Sequence, residues 1–345
     1  MGKYYDGTKL LSLKDLDGNT PEVFICTSNR TAGKTTYFNR LCLNRFIDKN
    51  EKFMIVFRFV YELDDCANKF FKVINNLFFP DGWMENRRKA HGYYHELYYK
   101  DKLCGYAVAL NAVDNIKKTS QVFSDVKRML MDEFQSESNH YCSKEVDKLL
   151  SLHTSVARGE GEQVRYVPVY LVGNPVSLIN PYYVALGISS RLTDNTKFLR
   201  GHGFVMEQGY NESASNAQKT SGFNKAFASN DYLEYSAEGV YLNDNLSFID
   251  RPESKNSKYV ATIRYNGSEY GIREYRDLGI VYCDNKPDSS FPFKISVTTE
   301  DHNINYVMLK QYDLFVSNLR FYFERGCFRF KDLRSKEALL ALISY

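Results

Sequence analysis

Apolar residues recur along the first part of the chain in a pattern that predicts a strand, a loop, a helix and a second strand. The run EVFICTS at 22–28 is a short apolar stretch that ends in polar residues. Between Gly33 and Ile47 the apolar residues return at helical spacing, and FMIVFRFV at 53–60 is nearly unbroken. An unbroken apolar run is typical of a strand covered on both faces, as in a parallel sheet. The opening therefore predicts a βαβ unit.

Further strands are predicted downstream, and they also end in polar residues. Residues 64–79 place apolar side chains on one helical face, whereas 81–105 is charged and tyrosine-rich and predicts a hairpin and loop. The runs VKRMLMDEF at 126–134 and YVPVYLVGN at 166–174 predict strands that end in Asp-Glu and Gly-Asn. Polar ends on several strands indicate a site along the carboxyl edge of the sheet.

The pattern changes in the last third of the chain. Between 211 and 245 the chain is rich in Ser, Asn, Ala, Gly and Lys, which predicts a linker or small connecting subdomain. Residues 258–284 then alternate as strands around an Asn-Gly hairpin turn at 266–267, and two apolar stretches at the end predict helices. We therefore predict two folded regions, the first of them α/β.

Composition narrows the class of protein. The chain has 345 residues, which is long enough for two domains. Because 43% of the residues are hydrophobic, each domain is expected to bury a hydrophobic core. A net charge of +3 does not by itself indicate nucleic-acid binding. The 7 cysteines are scattered, which opposes a disulfide framework or zinc site and favours a reducing compartment. With no apolar run of about 18 residues, the expectation is a soluble intracellular protein with no membrane partner.

The stretch SNRTAGKT at 28–35 fits the phosphate-binding loop pattern, with Ser28 in the place of the first glycine. In such a loop Gly33 lets backbone N–H groups wrap the phosphates, Lys34 reaches the β- and γ-phosphates, and Thr35 offers its hydroxyl to Mg²⁺. Serine at the first position has only a modest conformational cost. Because a Gly-Lys-Thr triplet is common by chance, the assignment depends on the strand before it and the amphipathic helix after it.

Three other motifs could complete a nucleotide site. Asp132, at a strand end, can hold Mg²⁺ through water, and the adjacent Glu133 can activate a hydrolytic water. Arg158, which follows a helix beside glycines, could be an arginine finger, although a lone arginine is more often simply solvated. Asn174 stands at a strand tip near the expected γ-phosphate position, but Gly-Asn-Pro can also be a plain turn signal.

Taken in order, SNRTAGKTT, IVFRFVYEL, MLMDEF, LVGNPVSLINPYY and KYVATIRYNG resemble the DNA-packaging (encapsidation) ATPases of small protein-primed tailed phages of the phi-29 type. The resemblance covers nearly the whole chain, and GNPVSLINPYY at 173–183 is its most specific part. It implies an α/β fold with a P-loop ATPase domain of the additional-strand (ASCE) class and a mostly parallel sheet at 1–210. A linker subdomain at 211–245 and a smaller α+β domain at 246–345 would follow, the latter of RNase H-like, nuclease-derived fold and binding DNA or the portal.

The resemblance also implies the activity and the partners. The protein would use ATP and Mg²⁺ to translocate double-stranded DNA into an empty prohead, as a homomeric ring that looks like a pentamer docked on the portal, or connector. In some members a structural packaging RNA joins the ring to the prohead. The expected location is the host cytoplasm, with transient attachment to the prohead and absence from the mature virion.

Site residues follow from the resemblance position by position. Lys34 and Thr35 match the family's phosphate and magnesium ligands. Asp132 and Glu133 match its Walker B pair, and Arg158 matches an arginine that one subunit provides to the next. A nucleotide-sensing lysine is matched by Lys118, with Lys117 as the alternative. The predicted nucleotide-binding set is Ser28, Asn29, Arg30, Thr31, Ala32, Gly33, Lys34, Thr35, Thr36 and Lys118, with Asn174 for coupling. Ser28 and Thr31 depart from the family, where relatives can carry glycine.

Two other functions remain open from the sequence. One is a nucleotide-dependent switch or scaffold that hydrolyses little ATP, which Glu133 opposes because a pure binder does not need it. The other is a terminase-like nuclease. An RNase H-like nuclease needs several carboxylates to hold two metals, yet the candidate first strand at 259–267 contains no Asp or Glu, and Asp284 and Asp301 are scattered. We predict a binding module without cleavage activity.

Overall fold

The structure is a computed structural model that describes ten stretches of the chain. These are 4–116, 122–138, 140–158, 163–178, 180–188, 191–192, 196–226, 236–237, 248–310 and 312–344. The chain forms two compact units, the first comprising 1–177 with 193–242 and the second 178–192 with 243–345. The segment 178–192 thus belongs with the later residues, and the domain limits given above stay predictions.

The first unit is built on a nine-stranded sheet. Its strands are β1 (Val23–Thr27), β2 (Lys52–Phe57), β3 (Met84–Lys89), β4 (Tyr94–Tyr99), β5 (Lys102–Ala109), β6 (Val126–Asp132), β7 (Val169–Gly173), β8 (Phe198–Arg200) and β9 (Phe204–Gln208). They lie in the order β3-β4-β5-β2-β6-β7-β1-β9-β8. All neighbours from β5 to β9 in that order run parallel, and the pairs β3–β4, β4–β5 and β8–β9 are antiparallel. This mostly parallel sheet confirms the predicted α/β class.

Helices alternate with these strands. Those of the first unit are α1 (Thr8–Ser12), α2 (Lys34–Lys49), α3 (Cys66–Lys72), α4 (Asn75–Phe78), α5 (Val113–Ile116), α6 (Glu145–Val156), α8 (Glu212–Thr220) and α9 (Gly222–Ala226), while α7 (Pro181–Ala185) lies in the second unit. Helix α2 buries Phe38, Cys42 and Phe46 on one face. Full burial of such a side chain stabilises by about 1.5–3 kcal/mol, which fixes α2 against the sheet and its N-terminus at the end of β1.

Most of the predicted elements are confirmed with small shifts at their ends. The region 64–79 is helical only in pieces, because a 3-10 turn at Val60–Asp65 precedes α3, and the chain breaks again before α4. The break comes just before Asn75 and Asn76, a residue type of low helix propensity.

The sheet also contains strands that the pattern did not indicate. The predicted hairpin within 81–105 is present as β3, β4 and β5, and β5 then continues into the parallel core beside β2. This pairing requires Gly105, since a Cβ there would lie 2.1 Å from the carbonyl oxygen of Phe53. Strands β8 and β9 had no clear signal in the sequence. The sheet therefore extends past β1 on the side opposite β7.

The described part of the predicted linker is helical. Helices α8 and α9 fall within 211–245, and the side chain of Asn211 caps α8 by accepting the backbone N–H of Ala214 at 2.9 Å. Its Asn and Ala content provides a capping residue and a helix former, so this part of the predicted linker or small connecting subdomain is helical. These helices belong to the first unit.

The second unit is a smaller mixed domain. Its strands are β10 (Lys258–Tyr265), β11 (Ser268–Tyr275), β12 (Ile280–Asp284), β13 (Lys294–Ser296) and β14 (Phe328–Phe330), and its later helices are α10 (Leu314–Glu324) and α11 (Leu333–Ser344). Strands β10, β11 and β12 are antiparallel, with β13 and β14 added in parallel at the two edges. The predicted turn between β10 and β11 is confirmed, with positive φ at Asn266 and Gly267. Ile263, Ile272 and Leu339 lie in its core.

Candidate nucleotide-binding site

The predicted phosphate loop joins the central strand β1 to α2. Gly33 has a φ of 96° and caps α2, whose first turn closes when the Tyr37 N–H donates to the Gly33 carbonyl at 2.9 Å. Thr31 has a φ of 62°, which is unusual for a β-branched residue. Left-handed residues within such a turn are typical of backbone concavities that bind anions. The positive end of the α2 dipole adds attraction for phosphate.

The two departures from the family pattern have different structural consequences. Ser28 lies outside the left-handed region, so its backbone does not require glycine. Thr31 lies within that region, and holding a non-glycine residue there costs about 1–3 kcal/mol. Strain of this kind persists only where neighbouring groups fix the backbone, and the loop has such neighbours.

The region after β9 braces the phosphate loop through several hydrogen bonds. The amide of Asn29 donates to the Asn211 carbonyl at 3.0 Å and accepts the Asn211 N–H at 2.9 Å. The amide of Gln218, on α8, donates to the carbonyl of Arg30 and the hydroxyl of Thr31, both at 3.0 Å. Helix α8 and its N-cap residue Asn211 therefore hold the loop in its strained form. The sequence predicts a linker or small connecting subdomain here.

Lys34 and Asn174 meet beneath the loop. The Lys34 side chain is buried, with 6% of its surface exposed. Its Nζ donates to Asn174 Oδ1 at 2.6 Å and lies 3.3 Å from the Ser28 carbonyl oxygen. Burial lowers the pKa of Lys34, although the nearby Asp132 opposes this shift. The structure thus brings together two of the predicted residues that are far apart in the sequence.

The acidic pair lies at the end of β6, two strands from β1. Asp132 is half-buried, and burial raises the pKa of its carboxyl against the opposing effects of a hydrogen bond from Thr35 and the charge of Lys34. The carboxylate of Asp132 and the hydroxyl of Thr35 are therefore adjacent oxygen ligands, the type that Mg²⁺ prefers. Glu133 is exposed to solvent, and its φ of 56° lies in the left-handed region. Although the residue as a whole is exposed, partial desolvation of its carboxyl by neighbouring groups and the charge of Asp132 raise the pKa of Glu133.

A buried ion pair supports the turn at Glu133. Arg58 follows β2, and its Nε donates to the two carboxylate oxygens of Glu145 at 2.8 and 3.1 Å. Its Nη2 donates to the backbone carbonyl of Phe134 at 2.8 Å and lies 3.4 Å from that of Glu133. Both charged side chains are buried. Sequence reasoning missed this pair, and the only signal was an arginine directly after an otherwise apolar strand.

Gln135 connects the acidic strand end to the segment that carries Asn174. Its side-chain carbonyl accepts the backbone N–H groups of Val176 and Ser177 at 3.0 and 2.8 Å. The side chain is buried, so these bonds are protected from water. Gln135 also has no local sequence signal, because its partners lie some forty residues away. Gln135 therefore fixes the position of the segment after Asn174 relative to Asp132 and Glu133.

The other predicted residues lie at differing distances from this cluster. Thr36 is half-buried in the first turn of α2, and Ala32 is buried in the loop. Arg30 forms an ion pair with Glu137, just beyond the acidic pair. Arg158 is exposed after α6, where its Nε donates to the Thr154 carbonyl at 3.2 Å, and it is not part of the cluster within the described chain. Lys118, and its alternative at 117, lie outside the described residues.

The two acids of the second unit that the sequence analysis considered, Asp284 and Asp301, both make structural contacts. Asp284 pairs with Arg273 at 3.1 Å, and Asp301 accepts the Gly267 N–H at 2.8 Å beside the hairpin turn. Within the stretches that the structure describes, no group of three or more His, Cys, Asp or Glu side chains is arranged to hold a metal. None of the described helices has the length and hydropathy of a membrane span.

Known protein sequences include several that are similar to this chain. The family model described as podovirus DNA encapsidation protein (Gp16) matches residues 2–343. The DNA packaging protein of Bacillus phage phi29 is 28% identical over 285 residues, covering 82% of this chain and 81% of that protein. The DNA packaging protein of Bacillus phage B103 is 27% identical over 320 residues, with 92% and 93% covered.

Solved structures show the same fold. A chain of the bacteriophage phi-29 viral genome packaging motor assembly superposes with a TM-score of 0.60 and 26% identity, covering 100% of this chain and 98% of that one. A chain of the phi-28 gp11 DNA packaging motor has a TM-score of 0.64 at 16% identity, over 99% and 98% of the two chains. At that identity the second likeness concerns the fold alone.

Proposed function

Because the chain belongs to the podovirus DNA encapsidation protein (Gp16) family, we propose that it is an ATPase that drives double-stranded DNA into a viral prohead. The observation that carries the proposal is the cluster at the carboxyl edge of the sheet. There the amine of Lys34, the hydroxyl of Thr35 and the carboxylates of Asp132 and Glu133 gather around a strained phosphate-type loop. This grouping supports the proposed roles of Lys34 as phosphate binder, Thr35 and Asp132 as metal ligands and Glu133 as base.

Each side chain has a distinct role in the proposed hydrolysis. When ATP binds, the Lys34 amine exchanges its hydrogen bonds to Asn174 and the loop carbonyls for contacts with the β- and γ-phosphate oxygens. Thr35 and Asp132 would hold Mg²⁺, which supplies charge neutralisation for the phosphates. Glu133 orients a water and takes its proton, a task suited to an exposed carboxylate with a raised pKa. Asn174 is hydrogen-bonded to Lys34 and would move when the γ-phosphate binds. This movement would be transmitted to Gln135 through the segment that follows Asn174.

The partners are proposed on the same premise. The relative of known structure is part of a genome packaging motor assembly, which supports a homomeric ring, taken as a pentamer, on the portal of the prohead. A structural packaging RNA is a further partner to be sought. The protein would act in the host cytoplasm and leave before the virion matures. In the second unit, the engagement of Asp284 and Asp301 in structural bonds supports a binding module without nuclease activity.

The test of hydrolysis uses two substitutions with opposite signatures. Glu133→Gln removes the base but keeps the shape, so ATP should still bind while turnover is lost. Lys34→Ala should weaken ATP binding itself. Equilibrium binding and steady-state ATPase rates, measured with DNA and proheads, distinguish these outcomes. Turnover at the wild-type rate in Glu133→Gln would remove the Walker B assignment, and a wild-type protein without DNA-stimulated turnover would favour a switch or scaffold.

Arg158 is proposed to act on the neighbouring subunit. It is exposed, lies outside its own chain's cluster, and bonds only to a carbonyl one helical turn back within the described residues. An arginine can contact two phosphate oxygens at once and can be supplied in trans.

Mixing two inactive variants tests this role. Arg158→Ala and Lys34→Ala proteins should each lack turnover, whereas the mixture should recover part of it where an intact site meets an intact arginine. Absence of recovery in rings shown by native mass spectrometry to contain both chains would place Arg158 in cis or on a plain surface.

A further inference from the structure

We infer that a groove between Tyr4 and Tyr210, beside the phosphate loop, binds the purine base of the nucleotide. This inference rests on the proposed ATPase function and names the part of the site that the loop motif does not define. The groove has a volume of about 630 Å³ and lies in the first unit. Ser28 and Ala32 of the loop contribute to its lining, as do both tyrosines and Tyr5.

Both walls of the groove are attached directly to the ends of the phosphate loop. On one wall the backbone N–H of Tyr5 donates to the Ala32 carbonyl at 2.7 Å. On the other, the N–H of Gly209 donates to the carbonyl of Thr27, the last residue of β1, at 2.6 Å. Each attachment is next in sequence to an exposed tyrosine, Tyr4 in the first case and Tyr210 in the second. These two backbone hydrogen bonds therefore fix the positions of Tyr4 and Tyr210 relative to the phosphate loop.

Tyr5, which contributes to the lining of the groove, is held by contacts on both its hydroxyl and its ring. The Tyr5 hydroxyl donates to Glu207 at 2.7 Å, and its ring packs edge-on against Tyr37 at 5.5 Å between centroids. The Tyr4 and Tyr210 side chains, in contrast, are 63% and 51% exposed. Large exposed aromatic residues on a fixed frame are typical of surfaces on which nucleobases stack, because every base has a π-face.

The sheet order gives the direction in which the nucleotide extends. The acidic pair is on β6, separated from β1 by β7, while the groove adjoins β9 on the opposite side of β1. A triphosphate with its γ-phosphate toward Asp132 and Glu133 must run its α-phosphate toward β9. The base then falls at the groove, on the same side as Tyr210. A groove on the β7 side would have been incompatible with this orientation.

The experiment compares ligands with and without a base. ATP, GTP and inorganic tripolyphosphate, each with Mg²⁺, are titrated calorimetrically into the full chain and its variants. In Tyr210→Ala the affinity for ATP should fall by about 5- to 150-fold, the range for loss of one aromatic stacking partner. Tripolyphosphate affinity should not change. Tyr210→Phe should retain ATP affinity because the ring is kept, and Tyr4→Ala should repeat the selective loss from the other wall.

Two controls make the result specific. Tyr312→Ala removes a tyrosine that is 89% exposed in the second unit and should alter none of the affinities. Lys34→Ala should weaken tripolyphosphate and ATP together. The proposal is overturned if both tyrosine variants bind ATP as the wild type does, or if they lose ATP and tripolyphosphate equally. If the wild-type chain binds neither ATP nor tripolyphosphate, the proposed ATPase function is overturned as well. If the tyrosine variants lose affinity for ATP but not for tripolyphosphate, both proposals are supported.

The same titrations identify the base. Stacking alone would give similar affinities for ATP and GTP, with both reduced in Tyr210→Ala. A preference for one purine that disappears in Asn211→Ala or Asn216→Ala, two polar residues of the groove lining, would assign the hydrogen-bonding edge. Loss of tripolyphosphate binding in Asn211→Ala would instead reflect its bonds to Asn29 in the loop.

Discussion

The Arg58–Glu145 pair offers the most direct test of how the fold holds the acidic turn. In Arg58→Met the guanidinium is replaced by an apolar side chain of similar length. The Glu145 carboxylate then remains buried without the charge of Arg58, and the Cys142 N–H still donates to it at 2.9 Å. The carbonyl of Phe134 loses its donor at the same time.

The expected cost follows from the burial of both charges. Removal of one partner of a buried ion pair costs about 3–5 kcal/mol, which is roughly a hundred-fold or more in the folding equilibrium. The double variant Arg58→Met/Glu145→Leu removes both charges, and such replacements are often neutral. It should therefore regain most of the lost stability. It does not restore the hydrogen bond from Arg58 Nη2 to the carbonyl of Phe134, so the turn at Glu133 has less support than in the wild type.

Two assays separate stability from catalysis. Urea unfolding should show a reduced midpoint for Arg58→Met and near recovery for the double variant. ATP should still bind to the double variant, but its turnover should be lower than that of the wild type. Arg87→Met is the matched control, because the Arg87–Glu85 pair is exposed and such pairs contribute about 0–1 kcal/mol. A stable double variant with full turnover would refute the role assigned to Arg58, as would an unchanged urea midpoint in the single variant.

Further predictions concern pH, coupling and DNA. Because the base must be deprotonated and the pKa of Glu133 is raised above an ordinary value of 4.5, kcat should decline on acidification with a midpoint above pH 4.5; a pH–rate profile with no such limb would contradict the assignment. Asn174→Ala removes the 2.6 Å acceptor of Lys34 and should lower turnover more than ATP affinity, which stopped-flow kinetics and equilibrium binding can compare; equal losses would assign Asn174 to binding. DNA affinity should decrease steeply with salt and show little sequence preference, since phosphate contacts dominate; a filter-binding series with no salt slope would oppose this.

Local sequence was sufficient for the central elements of the site. The run before Ser28, the Gly-Lys-Thr triplet and the amphipathic helix are adjacent in the chain, so their pattern predicted β1, the loop and α2 directly. Asp132 and Asn174 were predicted at strand ends because the apolar runs of β6 and β7 stop there. Parallel strands place such ends at one edge of a sheet, and the contact between Lys34 and Asn174 fits that expectation.

Residues that support the site could not be predicted in this way. The partners of Arg58 lie some seventy-five to ninety positions away, and those of Gln135 about forty. No periodic pattern encodes such pairings, because each depends on which strands become neighbours in the sheet. Strand β9 was missed for the same reason, and with it the wall of the groove that carries Tyr210.

The sequence by itself determined the α/β class, the phosphate loop and the family, because each depends on residues that are neighbours in the chain or on an ordered set of motifs. The tertiary structure alone decided how the loop is held. It placed Asn211 and Gln218, from a segment that read as a linker, against Asn29 and Thr31. The physical reason is that hydrophobic periodicity specifies what each segment buries, whereas strand order and buried polar pairing arise only when the segments pack together.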